Sequence, residues 1–522
     1  MDRVAYHEGG PGRAREGEDS GRSALFATAG AGRRAHPGGG PAPRYRLSGT
    51  RAPGSARADA RRSVRDARPV STSRADARRA HRRDPGRARL RSGCDCGAPR
   101  EGRDLSVDRP FWLADVVDPE GPGERPETLP ARADVVVVGA GVVGCVVAIH
   151  LARGGADVVV LDARAPGRGA TGRSAGFLIR GTADHPDQVA SAVGREGALA
   201  LWDYTAGSID ELVGLVREHR IECGLRRDGS LVLAMDDAER GSLRVSRELL
   251  EGTREPGEIW TGDEVEQRTG LVLFAGGWFR PGDGVLDPGR LCRGLADVAS
   301  RLGARVISGV RVDAIDEDGN GVRLTTRHGM IASAQAVLAT NAALPMIDAR
   351  FGRWLSPVRA QMLVTGPSRD AARLSWPVYA HHGYEYWRQE PTGELLFGGC
   401  RWAAKPGLEC GVTDDACVSE TVFEAQRTFI ARHLPSLASL PVRARWSGIM
   451  AFTTDGLPLV GRVPGQERLW MCAACNGHGL AFGPRSARLL AEAILHATPL
   501  PVDFTPARLS SRMTSADSPG GN

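Results

Sequence analysis

The segment that most constrains the fold is a glycine-rich string that directly follows four consecutive valines. It reads Gly139-Ala140-Gly141-Val142-Val143-Gly144, and Asp162 ends a second valine-rich run 162 − 139 = 23 positions after the first glycine. A strand over 134–138, a helix over 143–153 and a strand over 157–162 are therefore predicted, which is the context that a dinucleotide-binding βαβ unit requires. Gly139 permits the tight turn, Gly141 lets backbone approach a pyrophosphate, and Gly144 lets helix and strand pack closely. Asp162 is expected to hydrogen-bond a ribose hydroxyl.

The segment that follows Asp162 indicates which of the two common dinucleotides, NAD or FAD, is bound. Residues 164–176 form a loop of small residues directly after Asp162. Bulky side chains there would clash with a pyrophosphate and a flavin ring that run against the backbone. The loop therefore favours FAD over NAD.

The remaining pattern predicts an α/β protein, with a Rossmann-like FAD-binding domain and a mostly antiparallel β-sheet substrate domain that carries helices. Nucleotide-type elements occur at both ends and in the middle of the chain, so both domains are expected to be discontinuous. The FAD-binding domain is assigned to 133–225, 280–345 and 446–508, and the substrate domain to 226–279 and 346–445. Residues 106–132 are expected to be a linker and 509–522 a flexible tail.

The N-terminal 105 residues differ in composition from the rest. They hold 24 arginines, no lysine and 12 acidic residues, a net of 24 − 12 = +12, so the formal +6 of the chain leaves 6 − 12 = −6 for residues 106–522. A segment with so little apolar content is expected to be disordered. A basic arm for nucleic acid and translation upstream of the true start, with a start near Val107, are the alternatives. The acidic remainder gives no electrostatic reason to bind nucleic acid.

Residues 133–152 are apolar enough to span a bilayer, but their regular glycines favour a buried strand and helix, and no membrane insertion is expected. Ten cysteines in a chain of 522 residues do not make a disulfide framework. No apolar stretch follows Met1, so a cytoplasmic protein with reduced thiols is expected.

Several separated motifs resemble the FAD-dependent amine and amino-acid oxidase superfamily, which is D-amino-acid oxidase-like. Within it, the similarity is to the glycine and sarcosine oxidases and the γ-glutamylputrescine oxidase-like branch. The motifs are Phe111-Trp112-Leu113-Ala114-Asp115, residues 170–176, residues 284–291, residues 337–342, Thr454-Asp455-Gly456-Leu457-Pro458-Leu459-Val460-Gly461 and residues 476–484. The resemblance covers about residues 110–508.

The resemblance implies roles by position. Asp162 would hold the adenosine ribose, the cofactor-binding residues Ala163 and Arg164 would lie beside it, and Val312 would meet the adenine through its backbone. The small-residue loop and Thr340 would line the pyrophosphate and flavin, and the C-terminal motif would run along the isoalloxazine ring. The residues of these last two groups are Ala170, Thr171, Gly172, Arg173, Ser174, Ala175, Thr340, Gly448, Gly477, His478, Gly479 and Leu480.

Two departures from the superfamily pattern matter. Gly448 and Arg173 stand where relatives carry a Cys or a His that bonds the flavin covalently, so non-covalent FAD is expected. Leu396 aligns with a lysine that promotes reaction with oxygen, and the only lysine in the chain is Lys405. Oxygen as the electron acceptor is therefore in doubt.

Substrate residues are sought on the segment Tyr384-Glu385-Tyr386-Trp387-Arg388. Tyr386 is a candidate wall of a substrate pocket and Arg388 a candidate for binding a substrate carboxylate, the alternative being an ordinary strand with a surface arginine. His478, between two glycines, is the third candidate catalytic residue. Cys472 and Cys475, and likewise His381 and His382, are interpreted as structural, so no metal is expected.

The predicted function is oxidation of an amine or amino acid at the carbon next to nitrogen, by hydride transfer to flavin N5. A small-molecule amine is the expected partner, and the oligomeric state stays open. A flavin monooxygenase, another flavoprotein or a non-catalytic FAD-binding protein are the alternatives. The monooxygenase would need a second nicotinamide site, and only one convincing glycine fingerprint is present.

Overall fold

A computed structural model of the chain describes residues 106–107, 110–115, 128–368, 374, 376–404 and 409–509. The prediction for residues 1–105 lies outside this range. The helices are α1 (Val142–Arg153), α2 (Ala170–Arg173), α3 (Pro186–Glu218), α4 (Asp237–Leu249), α5 (Gly262–Thr269), α6 (Pro288–Arg301), α7 (Leu344–Ile347), α8 (Glu420–His433) and α9 (Gly479–His496). The strands are β1 (Ser106–Val107), β2 (Arg132–Val138), β3 (Val158–Leu161), β4 (Phe177–Leu178), β5 (Ser230–Ala234), β6 (Glu258–Thr261), β7 (Gly276–Arg280), β8 (Gly284–Val285), β9 (Arg305–Ile307), β10 (Val312–Asp318), β11 (Gly321–Thr326), β12 (Gly329–Leu338), β13 (Leu355–Pro367), β14 (Val378–Ala380), β15 (Glu385–Gln389), β16 (Glu394–Gly399), β17 (Val442–Thr453), β18 (Leu459–Arg462) and β19 (Leu469–Ala473).

The predicted βαβ unit is β2, α1 and β3. The valines of both strands are buried, as expected of parallel strands covered by helices, whereas the first residues of β2 are exposed or half-buried. They lie inside an eight-stranded sheet of order β10-β11-β12-β2-β3-β9, with β19 beside β12 and β18 beside β19. β12, β2, β3 and β9 pair in parallel, and α1 packs against α6 and α9 on one face.

The second sheet has nine strands in the order β1-β17-β13-β16-β15-β14-β5-β7-β6. Most of its neighbours are antiparallel, including the long pair β13 and β17. Its apolar core contains Trp387, Phe397 and Phe429, the last on the covering helix α8. The predicted fold class is confirmed: an α/β protein with a Rossmann-like sheet and a mostly antiparallel sheet.

Several predicted bounds differ from the structure. β17 crosses the boundary placed at residue 446, and β7 crosses the one placed at 280, because each strand pairs along its whole length within the second sheet. The expected linker is partly packed, since β1 pairs with β17 and Trp112 and Leu113 are buried. Leu509, placed in the flexible tail, is also buried. The division into two domains stays a prediction.

Helix α3 begins at Pro186, and Gly194 interrupts it with φ +80°. α4, α5 and α8 were not predicted, because their sequences are polar and their N-caps, Asp236, Thr261 and Ser419, are the main local signal. None of the described helices combines the length and the apolar character that crossing a bilayer requires.

Candidate cofactor and substrate site

A cavity of about 670 Å³ runs between the glycine-rich turn, the small-residue loop and the start of α9. Most of the predicted site residues meet at its wall. Those that line it are Gly139, Gly141, Val142, Val143, Asp162, Ala163, Arg164, Ala170, Thr171, Arg173, Ser174, Ala175, Val312, Thr340, Tyr386, Gly448, Gly477, His478, Gly479 and Leu480. The predicted residues outside the lining are Ala140, Gly144, Gly172 and Arg388.

The glycine-rich turn is packed too closely for side chains. Gly139 has φ +108°, and a Cβ on it would lie 2.8 Å from the carbonyl oxygen of Ala339. A Cβ on Gly144 would lie 1.8 Å from the carbonyl oxygen of Gly139. Helix α1 therefore approaches the end of β2 closely, and its N-terminus, capped by Gly141 without a side-chain hydrogen bond, opens on the cavity. Such a helix end attracts phosphate.

Asp162 lies at the end of β3 and orders two loops. Its Oδ2 accepts a hydrogen bond from the Ala140 N–H at 2.6 Å, and its Oδ1 accepts one from the Arg164 N–H at 2.8 Å. The carboxylate thereby fixes the glycine-rich turn relative to the small-residue loop. It lies at the cavity wall, where the sequence predicts the ribose.

Two arginines of the small-residue loop share one carboxylate from a distant segment. Arg164 Nη1 lies 2.9 Å and Arg173 Nε 3.1 Å from Asp415 Oδ2. Arg173 is buried and also donates to the carbonyl oxygen of Ser447 at 2.8 Å. These bonds tie the loop to β17, and a Cβ on the neighbouring Gly448 would lie 3.1 Å from the Cβ of Arg173.

The other end of the cavity is formed by aromatic side chains and the start of α9. The Tyr379 ring lies 6.3 Å from the His478 ring and 6.1 Å from the Tyr386 ring. The Arg401 guanidinium stacks 4.8 Å above the Tyr384 ring, so one cation borders this aromatic wall. Burial lowers the pKa of His478 to about 4 and raises the pKa of Tyr386 to about 12, so both side chains are neutral at pH 7.

Arg388 does not line the cavity and lies away from this aromatic wall. It is 2% exposed, its Nε lies 2.5 Å from Glu390 Oε1, and its Nη1 donates to the Leu286 carbonyl at 2.8 Å. Its guanidinium stacks 4.5 Å from the Trp112 ring. The structure thus gives Arg388 a full set of internal partners, and neither the substrate position nor the surface position expected from the sequence describes it.

The cysteines and histidines singled out in the sequence have different surroundings. Cys472 and Cys475 are buried free thiols, and burial raises the pKa of Cys475 to about 12. His381 Nδ1 lies 3.0 Å from the buried Glu385 carboxylate, whose hydrogen bond raises the pKa of the imidazole. His382 lies beside His185 and Glu239.

The cavity fits FAD. The helix end at Gly141 suits a pyrophosphate and the second helix end, at Gly479, suits the electron-rich side of a flavin ring. The Thr340 hydroxyl oxygen is buried at the cavity wall with no hydrogen-bond partner among the described residues, so it is placed to bond a ligand.

Three further residues line the cavity that the sequence did not predict: Tyr379, Arg401 and Asp415. Each lies in a segment without a motif, so no local signal identified it.

These features define a flavin-dependent oxidoreductase. The chain matches the family model described as FAD dependent oxidoreductase (DAO) over residues 134–493 and belongs to that family, which confirms the resemblance, the cofactor FAD and the oxidoreductase class. It is 26% identical over 391 residues to probable oxidoreductase OrdL of Haemophilus influenzae, covering 71% of this chain and 84% of that protein. It is also 26% identical over 368 residues to gamma-glutamylputrescine oxidoreductase of Escherichia coli, covering 69% and 83% of the two chains. The crystal structure of glycine oxidase from Geobacillus kaustophilus superposes with a TM-score of 0.61 at 25% identity, covering 72% of this chain and 98% of that one.

Proposed function

We propose that this chain oxidises a small amine or amino acid at the carbon next to nitrogen. The substrate would lose a hydride from that carbon to the flavin and the N–H proton to water, and the resulting imine would hydrolyse to a carbonyl compound and an amine. Bound FAD supplies the two-electron acceptor for this reaction. Relatives named as acting on γ-glutamylputrescine and on glycine support the choice of an amine.

The observation that carries the proposal is the continuity of a single cavity. It extends from the α1 end, suited to a dinucleotide, to a wall of Tyr379, Tyr384 and Tyr386. The positive charge of Arg401 beside this wall favours the neutral amine over the ammonium ion, and only the neutral amine can release a hydride readily. Neutral Tyr386 and His478 add no charge beside the reacting carbon. Most of the rate acceleration would therefore come from the placement of the substrate relative to the flavin.

The FAD is proposed to be non-covalent. Gly448 has no side chain, and Arg173 is committed to Asp415 and to the Ser447 carbonyl. Neither position offers a nucleophile to the flavin. Acid precipitation should therefore release all flavin into the supernatant, whereas yellow colour that stays in the protein pellet would contradict the proposal.

A small-molecule partner and a cytoplasmic location belong to the same proposal. Seven cysteines of the described residues are free thiols, which suits a reducing compartment: Cys145, Cys223, Cys292, Cys400, Cys410, Cys472 and Cys475. The formal charge of −6 on residues 106–522, obtained as 6 − 12, argues against a nucleic-acid partner.

The experiment is anaerobic mixing of the FAD-loaded enzyme with paired compounds that differ only in the heteroatom. N-methyl amino acids, D-amino acids and polyamine derivatives are each compared with the hydroxy analogue. An amine should bleach the flavin absorbance and its hydroxy analogue should not. Bleaching by hydroxy acids alone would overturn the amine assignment, and rapid bleaching by NADPH alone would favour a monooxygenase.

A further inference from the structure

Three potential metal ligands converge beside the aromatic end of the cavity. They are His185, which caps the start of α3, Glu239 in α4, and His382 in the turn between β14 and β15. One ligand atom from each lies within 4.8 Å of the other two. The three elements are far apart in sequence, so the second sheet and its helices bring this set together.

His185 presents a neutral, oriented imidazole. It is 8% exposed, and its Nδ1 lies 3.4 Å from the Ser242 hydroxyl, which itself donates to Asp187 Oδ2 at 2.7 Å. Because the Ser242 hydroxyl gives its proton to Asp187, its oxygen can accept from Nδ1 of His185, and in that tautomer Nε2 keeps its lone pair for a ligand. A histidine whose second nitrogen is held through a carboxylate in this way is typical of metal sites.

Glu239 presents a buried and fixed carboxylate. The residue is 3% exposed, its Oε2 accepts from the Met235 N–H at 2.8 Å, and its Oε1 accepts from the His382 N–H at 2.7 Å. Each oxygen retains a second lone pair. The carboxylate is therefore oriented by backbone donors, as a ligand of a preformed site is.

His382 supplies the observation that points to a ligand. Its Nδ1 is buried, lies 3.7 Å from Glu239 Oε1 and has no hydrogen-bond partner among the described residues. The turn that presents it is strained, with φ +52° at His381, +53° at His382 and +78° at Gly383. A left-handed conformation at non-glycine residues costs free energy and persists only where the surrounding structure holds it in place.

We propose that His185, Glu239 and His382 bind a divalent transition-metal ion of the zinc class. Two imidazole nitrogens and one carboxylate oxygen are the donors that such an ion prefers, and they leave a fourth position open. Tetrahedral bonds of about 2.1 Å separate ligand atoms by about 3.4 Å, so modest side-chain rotation completes the site. Of the three residues, His382 lines the cavity, so the proposed ion would lie next to its aromatic end.

A bound ion would fix the 381–383 turn to α3 and α4. That turn is continuous with Tyr384, and Tyr379 precedes it by two residues (381 − 379). Metal binding would thus hold the aromatic wall in place or restrict access to it. The site is separate from the proposed amine oxidation, which the cavity supports without an ion.

The test uses the FAD-loaded enzyme, freed of metal with a chelator, and Zn²⁺ alone as the probe. Competition with a chromophoric chelator should show one equivalent bound per chain. Co²⁺ in the same protein should give the visible ligand-field bands of a low-coordinate site with nitrogen ligands. The absence of both signals in the wild-type protein would overturn the proposal.

His382→Asn is the informative variant, because asparagine tolerates the left-handed conformation. It should weaken Zn²⁺ binding at least tenfold, and Glu239→Gln should weaken it similarly. His381→Asn, in the same turn with the same φ, is the matched control and should bind Zn²⁺ as the wild type does. Equal Zn²⁺ binding by wild type and His382→Asn, with flavin content and thermal midpoint unchanged, would overturn the assignment.

Discussion

Substitution of Gly144 by alanine tests the physical basis of the cofactor site. The added Cβ would lie 1.8 Å from the Gly139 carbonyl oxygen, whereas real contacts of this kind are not shorter than 3.0 Å, so α1 must move by at least 3.0 − 1.8 = 1.2 Å. We expect a shift of that size to break about two amide hydrogen bonds to the charged pyrophosphate, at about 1.5 kcal/mol each, so about 3 kcal/mol of binding free energy is lost, which corresponds to about 100-fold. The dissociation constant of FAD should therefore rise by about 100-fold.

The assay is titration of FAD into the apoprotein, followed by quenching of flavin fluorescence, with thermal unfolding of the apoprotein measured alongside. Gly214→Ala is the matched control. This glycine is exposed within α3 and a Cβ on it would meet nothing within 4 Å, so alanine should leave FAD affinity unchanged and stabilise the helix by up to about 1 kcal/mol. A dissociation constant for Gly144→Ala within threefold of wild type would refute the reasoning.

Three further predictions concern stability and the electron acceptor. Asp283→Asn should lower the free energy of unfolding by about 3–5 kcal/mol in denaturant titration, because the fully buried carboxylate forms ion pairs with Arg180 at 2.8 Å and Arg280 at 2.9 Å. The control Asp210→Asn removes an exposed partner of Arg227 and should cost no more than about 1 kcal/mol, and equal losses in the two variants would contradict this prediction. Burial and the cations Arg153 and Arg488 lower the pKa of His150 from 6.5 to about 4, so the unfolded chain binds the proton more readily and stability is lost as pH falls from about 6.5 towards 4. His150→Gln should flatten that loss in denaturant titrations across pH, and an unchanged slope would refute the cause. Reduced enzyme should be reoxidised slowly by air and faster by a quinone in stopped-flow measurements, because Leu396 is buried in an apolar cluster; fast reoxidation that collapses in Lys405→Met would show that Lys405 acts on oxygen.

The part of the fold that could be predicted is local in the sequence. One short unit contains the valines of β2 and β3, the glycines between them and Asp162. The spacing of these residues predicts the strand, turn, helix and strand of a dinucleotide-binding unit directly. β5 and β9 are also local in the sequence, since each is a short strand between turns. Polar helices such as α4 carry a weaker signal, because only one face is apolar and the cap decides where they begin.

The part that could not be predicted depends on long-range pairing. Asp415 contacts Arg164 although the two residues are 251 positions apart in the sequence, and no local pattern predicts that contact. Tyr386 of β15 lines the cavity, whereas Arg388, two residues further along the same face of the strand, lies against Trp112 and backbone carbonyls. The alternation of residues along a strand predicts which side chains share a face, but it does not predict how far along that face a cavity extends. The metal ligands converge only after the second sheet has formed.

The central claim is that a hydride leaves the carbon next to nitrogen. The most direct measurement is the rate of anaerobic flavin bleaching by an amine that reduces the enzyme, compared with the same amine deuterated at that carbon. The account predicts that deuterium slows the bleaching several-fold, because the bond to that hydrogen breaks in the step observed. An identical rate with an amine deuterated there, or failure of every amine to bleach the flavin, would contradict the account.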